Sequence, residues 1–491
     1  MKQVIEGRQY ETTKLVFLKA VKDLYPEYEV ELQNSLNNGS YGEVYDKEEI
    51  VVLQEEDYEK IHNRMDEIVE KDIPINLITE DSDDLKLKAK AIERRDIKLL
   101  LENCGWSKIK EVEIGDYRDY FYICPGKSTG IVRDFQIYKY HNGFILKTPM
   151  EVFDWKVAPI NDTPKISKAF KEGNLWAKIM GISYAGSINK KIFDNEILEL
   201  ILLNETLHNK KIASIADQII EKKDVKLITI AGPSSSGKTT FSKKLLLNLK
   251  TCGVDTLAIS LDDYYIGRAN VPLDENGEKD FETIEALDIK LLNENLKDLI
   301  DGKETKLPLY NFNTGERKEK TRTVKLPEGG IIIIEGIHGL NDELTKYIPR
   351  ENKFKIYISC LTQINMDMHN RVHTTDVRKI RRIVRDSISR KTQGEDTLAM
   401  WHSIRKGEEK WIFPFQEDAD EIFNSSLSYE LCVLKPFALK ELIKIGVDSP
   451  EYDEAKKLAD LLSCFVTVDQ SLIPTNSILK EFIGGSIFYK Y

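Results

Sequence analysis

The sequence predicts an α/β fold with a doubly wound parallel sheet, preceded by a separate α+β region. Three observations predict this arrangement. Beyond about residue 225, short apolar runs alternate with helical patterns, as they do in parallel sheets. A glycine-rich loop lies between the first of these runs and a helical pattern. Residues 112–146, which follow several helical patterns, are rich in aromatic and β-branched residues interrupted by glycines, as in strands and turns.

Composition limits the class of protein. The chain has 491 residues, of which 41% are hydrophobic and 31% charged, as expected for a globular protein with about two to four domains. A net charge of −11 gives no general attraction to nucleic acid, so a nucleic-acid partner is not expected. The six cysteines include no CxxC pair, and no apolar run approaches the roughly 20 residues that span a bilayer. We therefore expect a cytoplasmic protein without a membrane partner.

The first part of the chain begins with helical patterns. One covers residues 13–24 and stops at Tyr25-Pro26, because proline disfavours a continuing helix. Further helices are expected at 55–69 and 97–103, followed by the strands of 112–146, and then by amphipathic runs at 192–207 and 211–220. The predicted segments are an α+β region at 1–162, a helical connector at 163–224, an α/β domain at 225–437 and a C-terminal extension at 438–491.

The strongest motif follows the apolar run 226–231. Residues 232–240 read GPSSSGKTT and fit the pattern GxxxxGK[ST], in which backbone amides surround a polyphosphate. Lys238 would reach the β- and γ-phosphates, and the Thr239 hydroxyl would bind Mg²⁺. The predicted nucleotide-binding residues are Gly232, Ser234, Ser235, Ser236, Gly237, Lys238, Thr239 and Thr240.

Acidic residues follow two later strands of the predicted sheet. Asp262 comes after the run 256–261, where a carboxylate could take a proton from an acceptor hydroxyl or hold a metal. Glu335 ends the apolar run 330–334 and is expected to bind Mg²⁺ or its waters. Ligands of doubly wound sheets bind at this carboxyl edge, so both acids are expected there.

A basic helix is predicted at 376–390. Arg378, Arg382 and Arg385 are spaced by four and three residues, so one face of the helix carries three guanidinium groups. Such a run is often only solvated, but a chain with a phosphate loop favours an arginine-rich lid over the transferred group.

These motifs together resemble the uridine kinase and phosphoribulokinase group of P-loop kinases, over residues 227 to about 437. The stretch 261–265 is similar to the family motif whose first Asp is the general base, which implies that role for Asp262. Residues 281–288 and 307–317 are similar to the family's acceptor-binding segments. In the second of these, Gly315 stands where a base-contacting His is expected, which weakens the case for uridine.

The resemblance implies a role for each site residue. The catalytic residues would be Asp262, Lys238, Arg382 and Arg385, and the metal residues Thr239 and Glu335. The acceptor would be bound by Tyr265, Glu282, Tyr310, Arg317 and Arg378.

The N-terminal region resembles the editing-associated second additional domain of threonyl-tRNA synthetases. Segments 11–26, 38–44 and 56–74 occur in the same order as in that family. The positions of its metal or editing residues are occupied here by Glu11, Leu15, Phe121 and Pro125. These side chains cannot form a His/Cys metal set. No deacylase activity is therefore expected, and packing against the kinase region or shaping access to it is the expected role.

The expected function is transfer of the γ-phosphoryl group of ATP, with Mg²⁺, to the 5′-hydroxyl of a nucleoside such as uridine or cytidine. Two alternatives remain open. The acceptor could be another sugar or polyol, or the chain could be a regulatory, tRNA-binding ATPase that senses nucleotide. A small-molecule acceptor is the expected partner, and the sequence leaves a homo-oligomer possible.

Overall fold

The computed structural model describes residues 2–85, 94–273, 277, 279–311 and 314–489. Mutual contacts divide the chain into two units that are each discontinuous in sequence. The first unit contains residues 1–200, 362–380 and 428–472, and the second contains residues 201–361, 381–427 and 473–491. The four contiguous segments predicted above, 1–162, 163–224, 225–437 and 438–491, stay a prediction.

The first unit contains helices and antiparallel strands. Its described helices are Lys2–Leu24, Glu55–Glu70, Arg95–Asn103, Pro164–Ile179, Ala185–Phe193, Glu430–Leu442 and Tyr452–Ser463. One sheet has the strand order Tyr28–Leu36, Gly39–Asp46, Gly143–Lys147 and Gln136–Tyr140, with Glu49–Val51 paired to Gly39–Asp46. A second sheet has the order Asn76–Asp81, Lys108–Ile114 and Tyr117–Tyr120.

The predicted end of the first helix and start of the second are confirmed, but the first helix begins earlier than predicted, and strands Tyr28–Leu36 and Gly39–Asp46 were not predicted. The first helix ends at Leu24, immediately before Tyr25-Pro26, and the second begins at Glu55. Their apolar faces bury Leu15, Phe17, Ile61 and Met65 in one core with residues of the larger sheet.

The connector differs from its predicted pattern. The runs at 192–207 and 211–220 form one helix, Ile197–Glu221, and the chain instead turns at Asn195, where φ is 62°. No proline or glycine lies between the two runs, so nothing ends the helix there.

The second unit is built on a five-stranded sheet in which every pair is parallel. The strand order is Thr256–Ser260, Ile331–Glu335, Leu227–Ala231, Lys353–Ser359 and Glu421–Asn424. Two small antiparallel pairs, Thr305–Leu307 with Arg322–Val324 and Tyr310–Asn311 with Glu316–Arg317, lie outside it. The described helices are Lys238–Thr251, Ile289–Ile300, Gly394–Ala399, Trp401–Trp411 and Lys480–Ile483. Helix Thr374–Ser389 passes from the first unit into the second.

Strand order explains where a ligand can bind. Leu227–Ala231 is the first strand of this sheet along the chain, and the next strand, Thr256–Ser260, lies two places away at one edge. Strand Ile331–Glu335 lies between these two, and the last two strands continue on the other side of Leu227–Ala231, so the direction of winding reverses beside it. A crevice forms at such a reversal, outside the carboxyl ends of the strands. All five residues of Leu227–Ala231 are buried, as in a sheet covered on both faces.

Within the described part of the chain, no helix is long and apolar enough to cross a membrane.

The central strands should dominate the stability of the second unit. Ile333 is fully buried in strand Ile331–Glu335, so we expect Ile333→Ala to lower the free energy of unfolding by about 2–5 kcal/mol. Leu247→Ala, at an exposed position of helix Lys238–Thr251, is the control and should change it by about 0.5 kcal/mol or less. Urea unfolding followed by circular dichroism measures both, and equal losses would contradict the assignment of Ile333 to the core.

Candidate active site

A loop of residues 232–237 joins strand Leu227–Ala231 to helix Lys238–Thr251 at the carboxyl edge of the sheet. Gly232 packs directly on the neighbouring strand, because a Cβ atom there would lie 1.9 Å from the carbonyl oxygen of Ile358. Only glycine therefore fits at this position without a shift of the backbone. The predicted strand, loop and helix are confirmed in this order.

Polar groups of the loop are arranged to donate hydrogen bonds. The Lys238 ammonium folds back and donates to the carbonyl oxygens of Gly232 and Pro233, at 2.9 and 3.0 Å. The hydroxyl groups of Ser235 and Ser236 are buried, and neither has a hydrogen-bond partner among the described residues. A ligand with several acceptor oxygens would satisfy these groups. The donor set therefore fits a polyphosphate at the start of the helix.

Two strands of the sheet end level with each other beside this loop. Ser260 and Glu335 are paired in register, and the Ser260 hydroxyl donates to one Glu335 carboxylate oxygen at 3.2 Å. The Thr239 hydroxyl lies 3.4 Å from the other oxygen. Oxygen ligands of this kind are preferred by Mg²⁺. Thr239 and Glu335 could therefore hold a magnesium ion between them.

The space around this pair is open. Thr239 and Glu335 line a cavity of about 200 Å³ together with Lys243, Asp263 and Arg322. Because water occupies about 30 Å³ per molecule in the liquid, the cavity has room for a hydrated cation.

Carboxyl groups crowd this edge of the sheet. Burial, and then the Asp262 and Glu481 carboxylates, raise the pKa of Glu335 to about 7, while the Lys238 ammonium acts in the opposite direction. Burial also raises the pKa of Asp262, again opposed by Lys238. Burial is the largest cause of both shifts, because an ionised carboxylate loses its hydration there. A divalent cation bound at this edge would favour the ionised forms.

The two adjacent aspartates that follow strand Thr256–Ser260 have different surroundings. Both belong to the 3₁₀ turn Leu261–Tyr264. The Asp263 carboxylate accepts a hydrogen bond from the Tyr310 backbone amide at 3.0 Å, which ties the turn to a neighbouring hairpin. Among the residues that the structure describes, none donates a hydrogen bond to the Asp262 carboxylate. Both Asp262 oxygens are therefore available to a proton or a ligand, whereas one oxygen of Asp263 is already engaged.

Two of the three predicted lid arginines, Arg382 and Arg385, share the carboxylate of Asp386, and Arg382 also contacts the loop. The Arg382 guanidinium donates to the Ser234 hydroxyl at 2.7 Å and lies 3.3 Å from Asp386. Arg385 donates to the same aspartate at 2.8 Å. Burial, and then the Arg385 charge, lower the pKa of Arg382 to about 10. Two guanidinium groups thus lie close together beside the loop, and an anion bound there would relieve their repulsion.

The helix contributes a further arginine that the sequence analysis did not select. Arg381 is fully buried and donates to the carbonyl oxygens of Ser235 and Ser425, at 3.4 and 2.8 Å. Its only signal in the sequence was its place beside Arg382. Arg378 is also buried, but it lies in the part of the helix that groups with the first unit. Its role in substrate binding stays a prediction.

Three of the predicted acceptor residues, Tyr265, Tyr310 and Arg317, form a second cluster in the same unit. The Arg317 guanidinium donates to the backbone carbonyls of Tyr264 and Tyr265, each at 3.0 Å, and to Asp288 at 3.1 Å. These bonds fix the backbone that follows Asp262. The Tyr265 and Tyr310 rings lie 5.8 Å apart. Roles for these residues in acceptor binding stay predictions.

Glu282 carries an unusual carboxyl group. Burial, and then Glu408, raise its pKa to about 7, while Arg382 and Lys238 act in the opposite direction. The side chain is held close to Gly407, where a Cβ atom would lie 2.2 Å from that of Glu282. Glu282 is thus within electrostatic range of the loop lysine and a lid arginine.

A side chain at Gly315 would require backbone strain and a shift of the Arg268 side chain. Its φ angle is 73°, and an added Cβ atom would lie 2.8 Å from Nε of Arg268. The backbone amide of Arg268 also donates to the Gly315 carbonyl at 2.8 Å. The arginine side chain occupies the space into which a residue at 315 would point.

Comparison with known proteins agrees with this geometry. A sequence model of the Phosphoribulokinase / Uridine kinase family matches residues 227–430. A uridine kinase of Macrococcus caseolyticus is 32% identical over 197 residues, which are 40% of this chain and 86% of that protein. A uridine kinase of Staphylococcus aureus is 30% identical over 208 residues, 42% of this chain and 91% of that protein. The chain belongs to the phosphoribulokinase/uridine kinase family.

One solved structure in the comparison is that of a possible uridine kinase from Bacillus stearothermophilus. It is 20% identical, and the match covers 44% of this chain and 98% of that one with a TM-score of 0.31. The family assignment rests on the sequence relatives.

Membership of the family fixes the reaction class. The chain is a phosphotransferase that acts on a hydroxyl group, and enzymes of the uridine kinase type use ATP and Mg²⁺. The match does not reach the N-terminal residues, so their similarity to threonyl-tRNA synthetases stays a prediction.

The raised pKa of Glu282 predicts a pH-dependent stability. A carboxyl whose pKa is higher in the folded than in the unfolded protein favours folding at low pH, and this preference is lost as pH rises from about 4.5 to about 7. Glu282→Gln keeps the neutral form at every pH. We expect it to stabilise the protein by about 1–3 kcal/mol at pH 8 and little at pH 5.

Denaturant unfolding at both pH values measures this effect. Glu319→Gln, at an exposed position of the same unit, is the control and should show no such difference. A Glu282→Gln variant that is destabilised equally at both pH values would contradict the burial of an ionised carboxylate.

Proposed function

We propose that the chain is an ATP-dependent, Mg²⁺-dependent kinase that transfers the γ-phosphoryl group to the 5′-hydroxyl of a nucleoside, with uridine or cytidine as the acceptor, in the cytoplasm. The observation that carries this proposal is the meeting of Thr239, Glu335 and the loop lysine at one edge of the parallel sheet. The proposal also draws on the uridine kinase relatives and on the family match to residues 227–430.

The loop would bind the nucleotide. The hydroxyl groups of Ser235 and Ser236 and the amides at the start of the helix would donate to phosphate oxygens, and Lys238 would leave its two loop carbonyls for the phosphates. Thr239 and Glu335 would hold Mg²⁺, which neutralises charge on the phosphates.

Asp262 would act on the acceptor hydroxyl. Its carboxylate has no hydrogen-bond donor among the described residues, and burial raises its pKa toward the range in which a base is effective. The proton of the hydroxyl would pass to this carboxylate as the oxygen attacks the γ-phosphorus and the bond to the β-phosphate oxygen breaks.

The lid arginines would stabilise the negative charge that is redistributed on the phosphoryl group during transfer. Arg382 is held beside Ser234 of the loop, and Arg385 shares Asp386 with it. Phosphoryl transfer depends mostly on positioning and electrostatic stabilisation, so these contacts matter more for turnover than for binding. Tyr265, Glu282, Tyr310, Arg317 and Arg378 are proposed for the acceptor side.

A kinase for another sugar or polyol is the second candidate. It is favoured by Gly315, which has no side chain to contact a nucleobase and whose positive φ angle strains any residue that would supply one. In that case the acceptor would be smaller than a nucleoside, with Arg268 in place of the base contact.

An acceptor screen tests the proposal. Purified full-length protein is incubated with Mg²⁺, γ-labelled ATP, and nucleosides, sugars or polyols one at a time, and labelled products are separated. Transfer to uridine or cytidine is the expected result. Transfer only to a sugar or polyol would favour the second candidate. Nucleotide hydrolysis that tRNA stimulates, without transfer to any acceptor, would instead indicate a regulatory ATPase.

Asp262 gives the sharpest mechanistic prediction. Asp262→Asn keeps the shape of the side chain but removes its ability to accept a proton, so turnover should fall by about 10²- to 10⁴-fold. The affinity for MgATP, measured by calorimetry, should be retained. Loss of both together, with partial rescue by excess Mg²⁺, would identify Asp262 as a metal ligand instead.

Asp263→Asn is the matched control for that variant. An asparagine at 263 can still accept the Tyr310 amide through its side-chain oxygen, so the hairpin contact is kept. Turnover should therefore stay near the wild-type value. Equal losses at both positions would contradict a special role for Asp262.

A further inference from the structure

The last part of the second unit, residues 473–489, lies on the phosphate loop and its helix. We refer to it as the C-terminal segment. It follows the residues that match the kinase family, which end at 430, and it contains the short helix Lys480–Ile483. Of the residues discussed so far, Glu481 belongs to it, and its charge acts on Glu335.

Glu481 accepts a hydrogen bond from one of the backbone amides at the start of the phosphate-loop helix. Its carboxylate accepts a hydrogen bond from the Thr240 backbone amide at 3.2 Å and another from the Thr240 hydroxyl at 2.6 Å. The helix begins after Gly237, which has no side chain to cap these amides. The segment therefore supplies a negative charge at the position where a helix amino terminus attracts anions.

The next residue of the segment, Phe482, packs on the buried Arg381 side chain. The guanidinium carbon of Arg381 lies 5.0 Å from the centre of the Phe482 ring. Arginine stacks readily on flat aromatic faces, and nucleobases present such a face. Glu481 and Phe482 thus place a carboxylate on a helix amide and an aromatic ring on a guanidinium, the two kinds of contact that a nucleotide makes.

Further contacts hold the segment against the loop. The Ile478 side chain packs on Gly237, and a Cβ atom added at Gly237 would lie 2.6 Å from it. The Lys243 ammonium donates to the Phe488 carbonyl at 2.6 Å and lies 4.3 Å from the centre of the Tyr489 ring. The Tyr489 hydroxyl is 3.1 Å from that of Thr240. The contact therefore extends over the helix surface and is not confined to one side chain.

We propose that the C-terminal segment is an intramolecular competitor of the nucleotide, with Glu481 on a phosphate-binding amide and Phe482 on the face of Arg381. This inference rests on the proposed function, because it assumes that the Thr240 amide serves a phosphate. One amide hydrogen donates well to only one of two anions, and the Glu481 charge also repels a polyphosphate. Binding of nucleotide therefore releases the segment from the helix.

Direct binding measurements test the competition. Glu481→Gln keeps the size of the side chain and removes its charge, so the dissociation constant of MgATP, measured by calorimetry on the full chain, should fall by about tenfold. Phe482→Leu keeps an apolar side chain but loses the stacking ring, and it should also tighten binding. Glu319→Gln, an exposed residue of the same unit, makes the same change in net charge and should leave the constant unaltered.

Hydrogen–deuterium exchange gives an independent readout. If the segment competes, MgATP should increase exchange in residues 473–489 of the wild-type protein while protecting the loop. Protection of both, or weaker MgATP binding by both variants, would overturn the inference and show that the segment helps to build the nucleotide site. Unchanged affinity in both variants would overturn it as well.

The two proposals fail in different ways. If folded wild-type protein and both variants bind no MgATP, the proposed function itself is wrong, and the competition fails with it. If the wild-type protein binds MgATP and phosphorylates an acceptor, but the segment variants bind no more tightly, only the competition is wrong.

Discussion

The register between strands Thr256–Ser260 and Ile331–Glu335 is the constraint on which the candidate site depends. It places Ser260 opposite Glu335, while the pairing on the other side places Glu335 opposite Ile230, two residues before the loop. Because successive side chains of a strand point to opposite faces, a slip of one residue would turn Glu335 away from Thr239. The apolar residues 331–334 are buried, and Glu335 follows them directly at the end of the strand. The hydrophobic core thus sets the position of a polar group.

The same edge of the sheet contains buried polar groups whose burial opposes folding. Buried hydroxyl groups of the loop lack partners among the described residues, and burial raises the pKa of both Glu335 and Asp262. Each feature costs stability in the absence of a ligand. A folded chain tolerates such costs where binding offsets them, so the concentration of these features at one edge is itself an argument that this edge is functional.

Sequence patterns predicted the parts of the site that local structure determines. A short continuous motif predicts the strand, the loop and the helix. Because parallel strands end at one edge of the sheet, the sequence also predicts that Glu335 lies near Thr239. Contacts between distant segments had no such signal. Arg381 and Ser425 are separated by 44 residues, and Thr240 and Glu481 by 241. The family resemblance predicted Arg317 as an acceptor residue, but its bond to Asp288 depends on how the strand Glu316–Arg317 packs on the start of helix Ile289–Ile300.

Arg381 shows why these long-range contacts matter for the site. Its guanidinium joins three separate parts of the second unit: Ser235 of the phosphate loop, Ser425 after the last strand of the sheet, and the Phe482 ring. A guanidinium can do this because its donors lie in one plane, which leaves both flat faces free for stacking. A lysine ammonium could replace the bonds to the carbonyl oxygens but not the contact with the ring. The position of the phosphate loop is therefore coupled, through one side chain, to the end of the sheet and to the C-terminal segment.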